Sequence, residues 1–180
     1  MPEVEQSAII PGVYIVRLQS HPDARGRFVE TFRRRWIPGA REMLQGNRSD
    51  SQPGVLRGIH YHLFQADYWY VPTGRTFVAL VDLRGGRGAP NFGKVSTLEM
   101  GDGNEAGVYI PPGVGHGFQA LSPVVMTYLV DQEFDGSDEF GVRYDDPVLN
   151  VPWPATERIV SERDEQNPAL ADIPDENLPA

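Results

Sequence analysis

Leu56-Arg57-Gly58-Ile59-His60-Tyr61-His62 has the apolar and aromatic content of a β-strand, yet it carries an arginine and two histidines. Ionisable groups in a buried strand are costly to desolvate unless partners are present, so such a strand points to a site. Working outward, strand-like runs follow closely: Val55–Tyr61, Tyr68–Val71, Thr76–Leu83, Val95–Met100, Val108–Ile110, Gly117–Leu121 and Val124–Val130. Each is bounded by glycine, proline or aspartate, and many short strands between turn residues indicate an all-β sandwich or barrel. Upstream, Val13–Leu18 reads as a strand, His21–Gly26 as a turn and Arg27–Phe32 as a further strand. Trp36–Leu44 is the best helical candidate, although Pro38-Gly39 interrupts its start. Ser161-Glu162-Arg163-Asp164 has the spacing of a capping box, with Ser161 as N-cap.

Composition narrows the function. A chain of 180 residues can bury a full core and reads as one domain, 1–180, with 164–180 as a C-terminal helix or tail. The absence of cysteine removes disulfides, thiolate metal sites and cysteine nucleophiles. No run approaches the roughly 20 apolar residues of a membrane helix, and the acidic start carries no signal segment, which reads as a soluble cytoplasmic protein. The net charge of -9 disfavours nucleic acid as a partner. A single phosphorylated small molecule needs only a few arginines, and Arg25, Arg27, Arg33, Arg34, Arg35, Arg41, Arg48 and Arg57 lie early in the chain.

Three of the four histidines, His60, His62 and His116, fall at strand starts or glycine-rich turns. Strict alternation puts Leu56, Gly58, His60 and His62 on one face and Arg57 on the other. A bulge at Gly58 would bring Arg57 and His60 to the same side. Two chemistries compete. His60, His62 and His116, with Asp67 as the carboxylate, have the ligand types and approximate order of a metal-binding cupin. Without a metal, the histidines would handle protons and substrate.

The second reading is supported by a resemblance. Val55-Leu56-Arg57-Gly58-Ile59-His60-Tyr61 resembles the strand that carries the catalytic histidine of the dTDP-4-dehydrorhamnose 3,5-epimerase family. Asp23–Glu30, with Arg25, Phe28 and Glu30, resembles the family's early Arg-Gly…Phe…Glu segment, and Gln45-Gly46-Asn47-Arg48-Ser49 its Gln-x-Asn-x-Ser. Val81–Arg84, Phe92-Gly93-Lys94, Ile110–Gly113, His116-Gly117-Phe118, Tyr128, Asp145-Asp146-Pro147, Trp153-Pro154 and Ser161–Asp164 follow in the family's order.

The resemblance implies a cupin-like antiparallel β-barrel (a jelly roll) with a few short helices, acting as a homodimer without metal or other cofactor. Its implied substrate is a dTDP-4-keto-6-deoxyhexose, epimerised next to the C4 ketone. His60 then matches the base, Asp164 its carboxylate partner and Tyr128 the acid on the opposite face. Arg25 and Arg57 match diphosphate ligands, and Gln45, Asn47 and Glu30 nucleotide contacts. His116, Glu139 and Arg163 match further substrate contacts. Two positions depart from the pattern. Asp67 stands where the family usually has lysine, reversing the charge beside a developing enolate. Phe134 stands where it has a base-stacking tyrosine, which preserves the π-face. Asp67 thus marks a member that inverts one carbon, takes a modified sugar or another nucleotide, or binds sugar nucleotides with weakened turnover.

Overall fold

The computed structural model describes residues 1–154 and 157–180. Its strands, all paired antiparallel within the sheets, are β1 (Glu3–Gln6), β2 (Tyr14–Arg17), β3 (Ser20–Asp23), β4 (Gly26–Val29), β5 (Gln45–Ser51), β6 (Leu56–Tyr61) and β7 (Asp67–Thr73). They continue as β8 (Arg75–Asp82), β9 (Val95–Gly101), β10 (Ala106–Ile110), β11 (Val114–Ala120), β12 (Val124–Val130) and β13 (Phe140–Gly141). One sheet has the order β1-β2-β10-β7-β12-β5 and the other β13-β6-β11-β8-β9, while β3 and β4 form a separate hairpin. Apart from β1–β2 and β8–β9, neighbours within the two large sheets are non-consecutive in sequence, as in a jelly roll.

The space between the sheets holds Trp69, Val71, Val78, Leu80, Val108, Ile110, Val114, Phe118 and Met126, among others. Both outer faces are covered as well. Leu56, Ile59, Tyr61, Ala79 and Val81 pack under the C-terminal segment through Trp153, Leu170, Ile173 and Leu178. On the other side Trp36, Ile37 and Ala40 cover Val16, Tyr68, Tyr70 and Tyr109. Because β7 and β8 are buried over most of their length on both faces, Tyr68–Val71 and Phe77–Val81 are continuous apolar runs. Among the described residues no helix is long and apolar enough to cross a membrane.

Some local expectations are corrected. Only a 3-10 turn, Arg34–Trp36, forms where a helix over Trp36–Leu44 was expected; Pro38 follows at once and Gly39 has φ of 74°. The strand expected over Arg27–Phe32 ends at Val29, and its partner β3 lies within the expected turn. Helix α1 (Glu162–Glu165) starts as expected, the Asp164 N–H donating to Ser161 Oγ at 3.2 Å. The Asp164 carboxylate does not complete the capping box, because it turns inward to β6.

Candidate active site

Strand register lays the cleft out in rows. In the six-stranded sheet Gln45, Val130 and Asp67 are cross-strand partners, and Asn47, Tyr128 and Trp69 form the next row. Alternation on β5 and β12 turns both rows, with Ser49 and Met126, toward the facing sheet. That sheet contributes Arg57 and His60 from β6 and His116 and Phe118 from β11. His62, Gln65, Phe134, Glu139 and Arg163 close the rim around a cleft of about 470 Å³. Such a volume suits a small polar ligand.

The bulge anticipated at Gly58 is present. His116 pairs with His60 but Phe118 with Arg57, so β6 contains one residue more than β11 over this stretch. Leu56 and Ile59 therefore enter the outer core, while Arg57 and His60 both face the cleft. Leu56 does not share His60's face as strict alternation predicts. Gly58 has φ of 107°, and the peptide bond that follows it is cis. A Cβ there would lie 2.7 Å from the His116 carbonyl oxygen and 2.8 Å from Gly117 Cα. Only glycine fits both the dihedral and the space.

Asp164 ties the bulge to the histidine. Its Oδ2 accepts the Gly58 N–H at 3.0 Å, and its Oδ1 lies 2.6 Å from His60 Nε2. An ionised carboxylate only accepts, so Nε2 carries a proton, and in the neutral ring Nδ1 keeps the free lone pair. Burial works to raise the Asp164 carboxyl, but the His60 hydrogen bond and charge, the Gly58 N–H and Arg163 together hold it below its ordinary 3.8. The sign of the pH effect follows. A carboxylate lowered on folding stabilises the fold above its unfolded value, and that contribution is lost as pH falls through the folded value. Denaturant titrations at a series of pH values should therefore find Asp164→Asn destabilised by about 1–3 kcal/mol at pH 7. The deficit should shrink below about pH 4.

Asp67 does not turn away from the cleft. It is 3 % exposed; Oδ1 accepts from Gln65 Nε2 at 2.8 Å and Oδ2 from the Trp69 indole at 3.1 Å. His116 Nε2 lies 3.9 Å from Oδ2. The Nδ1–H of His116 donates to the Val114 carbonyl at 3.0 Å. Burial pushes the His116 imidazolium down to about 4 against the opposing pull of Asp67, so the ring is neutral near pH 7. His62 stacks on His116 at 5.6 Å between centroids and donates from Nδ1 to the Asp138 carbonyl. Across the cleft, burial chiefly, then Asp67 and Glu139, raise the Tyr128 phenol, with Arg57 opposing.

A family model for dTDP-4-dehydrorhamnose 3,5-epimerase matches residues 7–172. The chain belongs to that family. It is 32% identical over 178 residues to the dTDP-4-dehydrorhamnose 3,5-epimerase of Sinorhizobium fredii, covering 94% of this chain and 90% of that protein. It is 33% identical over 177 residues to a dTDP-4-dehydrorhamnose 3-epimerase of Streptomyces niveus, covering 94% and 84%. The crystal structure of dTDP-6-deoxy-D-glucose-3,5-epimerase RmlC from Legionella pneumophila, in complex with dTDP-4-keto-L-rhamnose, has a TM-score of 0.92. That match has 30% identity and covers 99% of this chain and 98% of that one. The chain is thus an epimerase of carbohydrates with the cupin fold of its family.

Of the residues matched to the epimerase family, Gln45, Asn47, Arg57, His60, His116, Tyr128, Phe134, Glu139 and Arg163 line the cleft, as does Asp67. Asp164 stands behind His60. Arg25, Phe28 and Glu30 lie outside the cleft of the single chain. Arg25 sits at the hairpin turn, its side chain 90% exposed and paired with Asp23 at 2.6 Å. Phe28 is 64% exposed, and Glu30 pairs with Arg33. Among the described residues the metal-capable group is His62, Asp67 and His116. His60 does not join it, and its Nε2 bonds Asp164 instead. Ser49, Gln65, Trp69, Phe118, Met126 and Val130 were not anticipated in the cleft. The alternation of Asp67 and Trp69 at the start of one strand was the available signal for Trp69.

Proposed function

We propose that this cleft binds a dTDP-4-keto-6-deoxyhexose and inverts one or both of the carbons flanking its C4 ketone. One observation carries the reading: His60, backed by Asp164, and Tyr128 stand on opposite sheets across one cleft. Inversion requires a proton to leave one face of a carbon and another to arrive on the opposite face. A hydrogen next to a ketone is weakly acidic, so its removal needs a placed base and stabilisation of the enolate. His60 Nδ1 takes the proton. Asp164 fixes the tautomer and stabilises the imidazolium that forms. Tyr128, a phenol held protonated by its surroundings, delivers a proton from the facing sheet.

In the same reading Arg57 takes the diphosphate. Its guanidinium lies on the cleft wall with Nε bonded to Ser51 Oγ at 3.1 Å, and its planar donors suit phosphate oxygens. Gln45 and Asn47, hydrogen-bonded to one another at 2.8 Å, offer polar contacts nearby. Phe134, 67% exposed, gives a stacking face at the rim. Arg25, Phe28 and Glu30 reach a nucleotide only if a second copy docks. Their exposed hairpin and the uncovered Phe28 ring support a homodimer in which that hairpin closes the neighbouring cleft. The reaction on the native sugar, single or double, follows the 3-epimerase and 3,5-epimerase names of the relatives.

Tyr128→Phe separates the two proton steps, since it removes only the hydroxyl. NMR of the variant with substrate in D2O should show inverted product formed about 100-fold more slowly or worse. Deuterium should still enter with retention, because the proton His60 takes exchanges with solvent and a deuteron is returned to the same face. Unchanged inversion in this variant would remove Tyr128 from the mechanism.

A further inference from the structure

Ring nitrogens of His62 and His116 and a carboxylate oxygen of Asp67 converge in the cleft. The ligand atoms that His62, Asp67 and His116 offer all lie within 4.8 Å of one another. We propose that these three side chains bind one divalent transition-metal ion.

The first support is the state in which each imidazole is held. A backbone carbonyl can only accept, so the Val114 contact fixes the proton of His116 on Nδ1, and the Asp138 contact fixes that of His62 on Nδ1. In the neutral form of either ring the Nε2 lone pair is then free. A ring nitrogen donating to a carbonyl while the other is left open is the usual outer-shell arrangement of metal-binding histidine. Asp67 is oriented in the same way, by the Gln65 amide and the Trp69 indole.

The second support is an unbalanced charge. Asp67 is 3 % exposed, and among the described residues no lysine or arginine forms an ion pair with it. Its two hydrogen-bond donors are neutral. At 3.9 Å its Oδ2 is too far from His116 Nε2 for a hydrogen bond, so neither group satisfies the other. A buried carboxylate without a counter-charge is expensive, and a divalent cation bound between it and the two imidazoles removes that cost. At metal–ligand distances of about 2.0–2.2 Å a tetrahedral arrangement sets ligand atoms about 3.3–3.6 Å apart. Ligand atoms now within 4.8 Å of one another must therefore close by up to about 1.5 Å on the ion.

Two imidazoles and a carboxylate suit zinc, manganese, iron, cobalt or nickel, with the remaining positions open toward the cleft. This departs from the metal-free site that the family resemblance implies. If the epimerase reading holds, the ion also gives the cleft floor the positive charge that Asp67 denies it. That consequence rests on the reading, whereas binding does not.

The test uses the full chain without a histidine tag, stripped with chelator and dialysed separately against Zn2+, Mn2+ and Co2+. Metal is counted by mass spectrometry, and the cobalt form is read by its visible d–d bands. About one ion per chain is expected, for at least one metal. His62→Asn retains a donor for the Asp138 carbonyl but has no ring nitrogen to ligate, and Asp67→Asn removes the anion. In each, affinity should fall by more than the 10–100-fold typical of losing an outer-shell partner, with unchanged circular dichroism. Substoichiometric metal in the wild type, or wild-type affinity in both variants, would overturn the site. Deuterium exchange into substrate is measured separately. Metal binding without exchange defeats only the epimerase reading, and exchange in metal-free protein together with no binding defeats only the metal site.

Discussion

Gly58→Ala should yield little or no soluble folded protein. The substitution puts a Cβ 2.7 Å from the His116 carbonyl oxygen and 2.8 Å from Gly117 Cα, both backbone atoms of the adjacent strand. It also demands φ near 107°, where a non-glycine residue is strained. Neither obstacle can be relieved by turning a side chain. Moving β11 away would break the ladder it shares with β6 and β8 and open the core around Leu80 and Phe118. A loss of at least about 3 kcal/mol follows from strain and overpacking together, a large share of the stability of a domain this size. Expression, circular dichroism and thermal unfolding check it. If the variant folds with a near wild-type melting temperature, the bulge is softer than its geometry implies, and Arg57 and His60 are held by something else.

His60→Gln should fold normally and lose about 100- to 10,000-fold in kcat, with KM changed only a few-fold. Glutamine can place its amide Nε2 against Asp164, so the buried carboxylate keeps a donor, while no group of suitable basicity remains to take a proton from carbon. The split between kcat and KM matters. A residue that only shaped the cleft would affect binding at least as strongly as turnover. His60→Ala should be worse behaved, because it leaves the Asp164 carboxylate, 3 % exposed, without its ring partner. Initial rates against substrate concentration, with chemical denaturation of both variants, distinguish these outcomes. A His60→Gln enzyme with normal kcat would remove the base from the proposal.

The strands from β6 to β12 were legible because turn residues punctuate them, and burial on both faces kept the apolar runs of β7, β8 and β10 intact. The bulge was legible for a simple reason: a glycine next to an arginine in a histidine-bearing strand has few other uses. Strand β5 was not. Its Gln-Gly-Asn-Arg-Ser-Asp-Ser sequence is polar on both faces, since Gln45, Asn47 and Ser49 line the cleft and the intervening residues face solvent. Polarity hid the alternation that usually announces a strand. The His60–Asp164 pair spans 104 positions, and no local pattern could join them; only the family resemblance did. Arg25, Phe28 and Glu30 show the opposite limit: the motif orders them along the chain, but the fold leaves them outside its own cleft. The orientation of Asp67 depended on Trp69 and Gln65, whose donors become visible only once β7 is folded against β12.

The central claim is that His60 exchanges a carbon-bound proton next to a ketone, and solvent labelling tests it most directly. Wild-type protein incubated in D2O with dTDP-4-keto-6-deoxyglucose should incorporate deuterium at C3, or at C3 and C5, with inversion at each labelled carbon in the NMR spectrum. The pattern also decides between the single and double epimerase. Binding of the sugar nucleotide with no deuterium at either carbon would contradict the account.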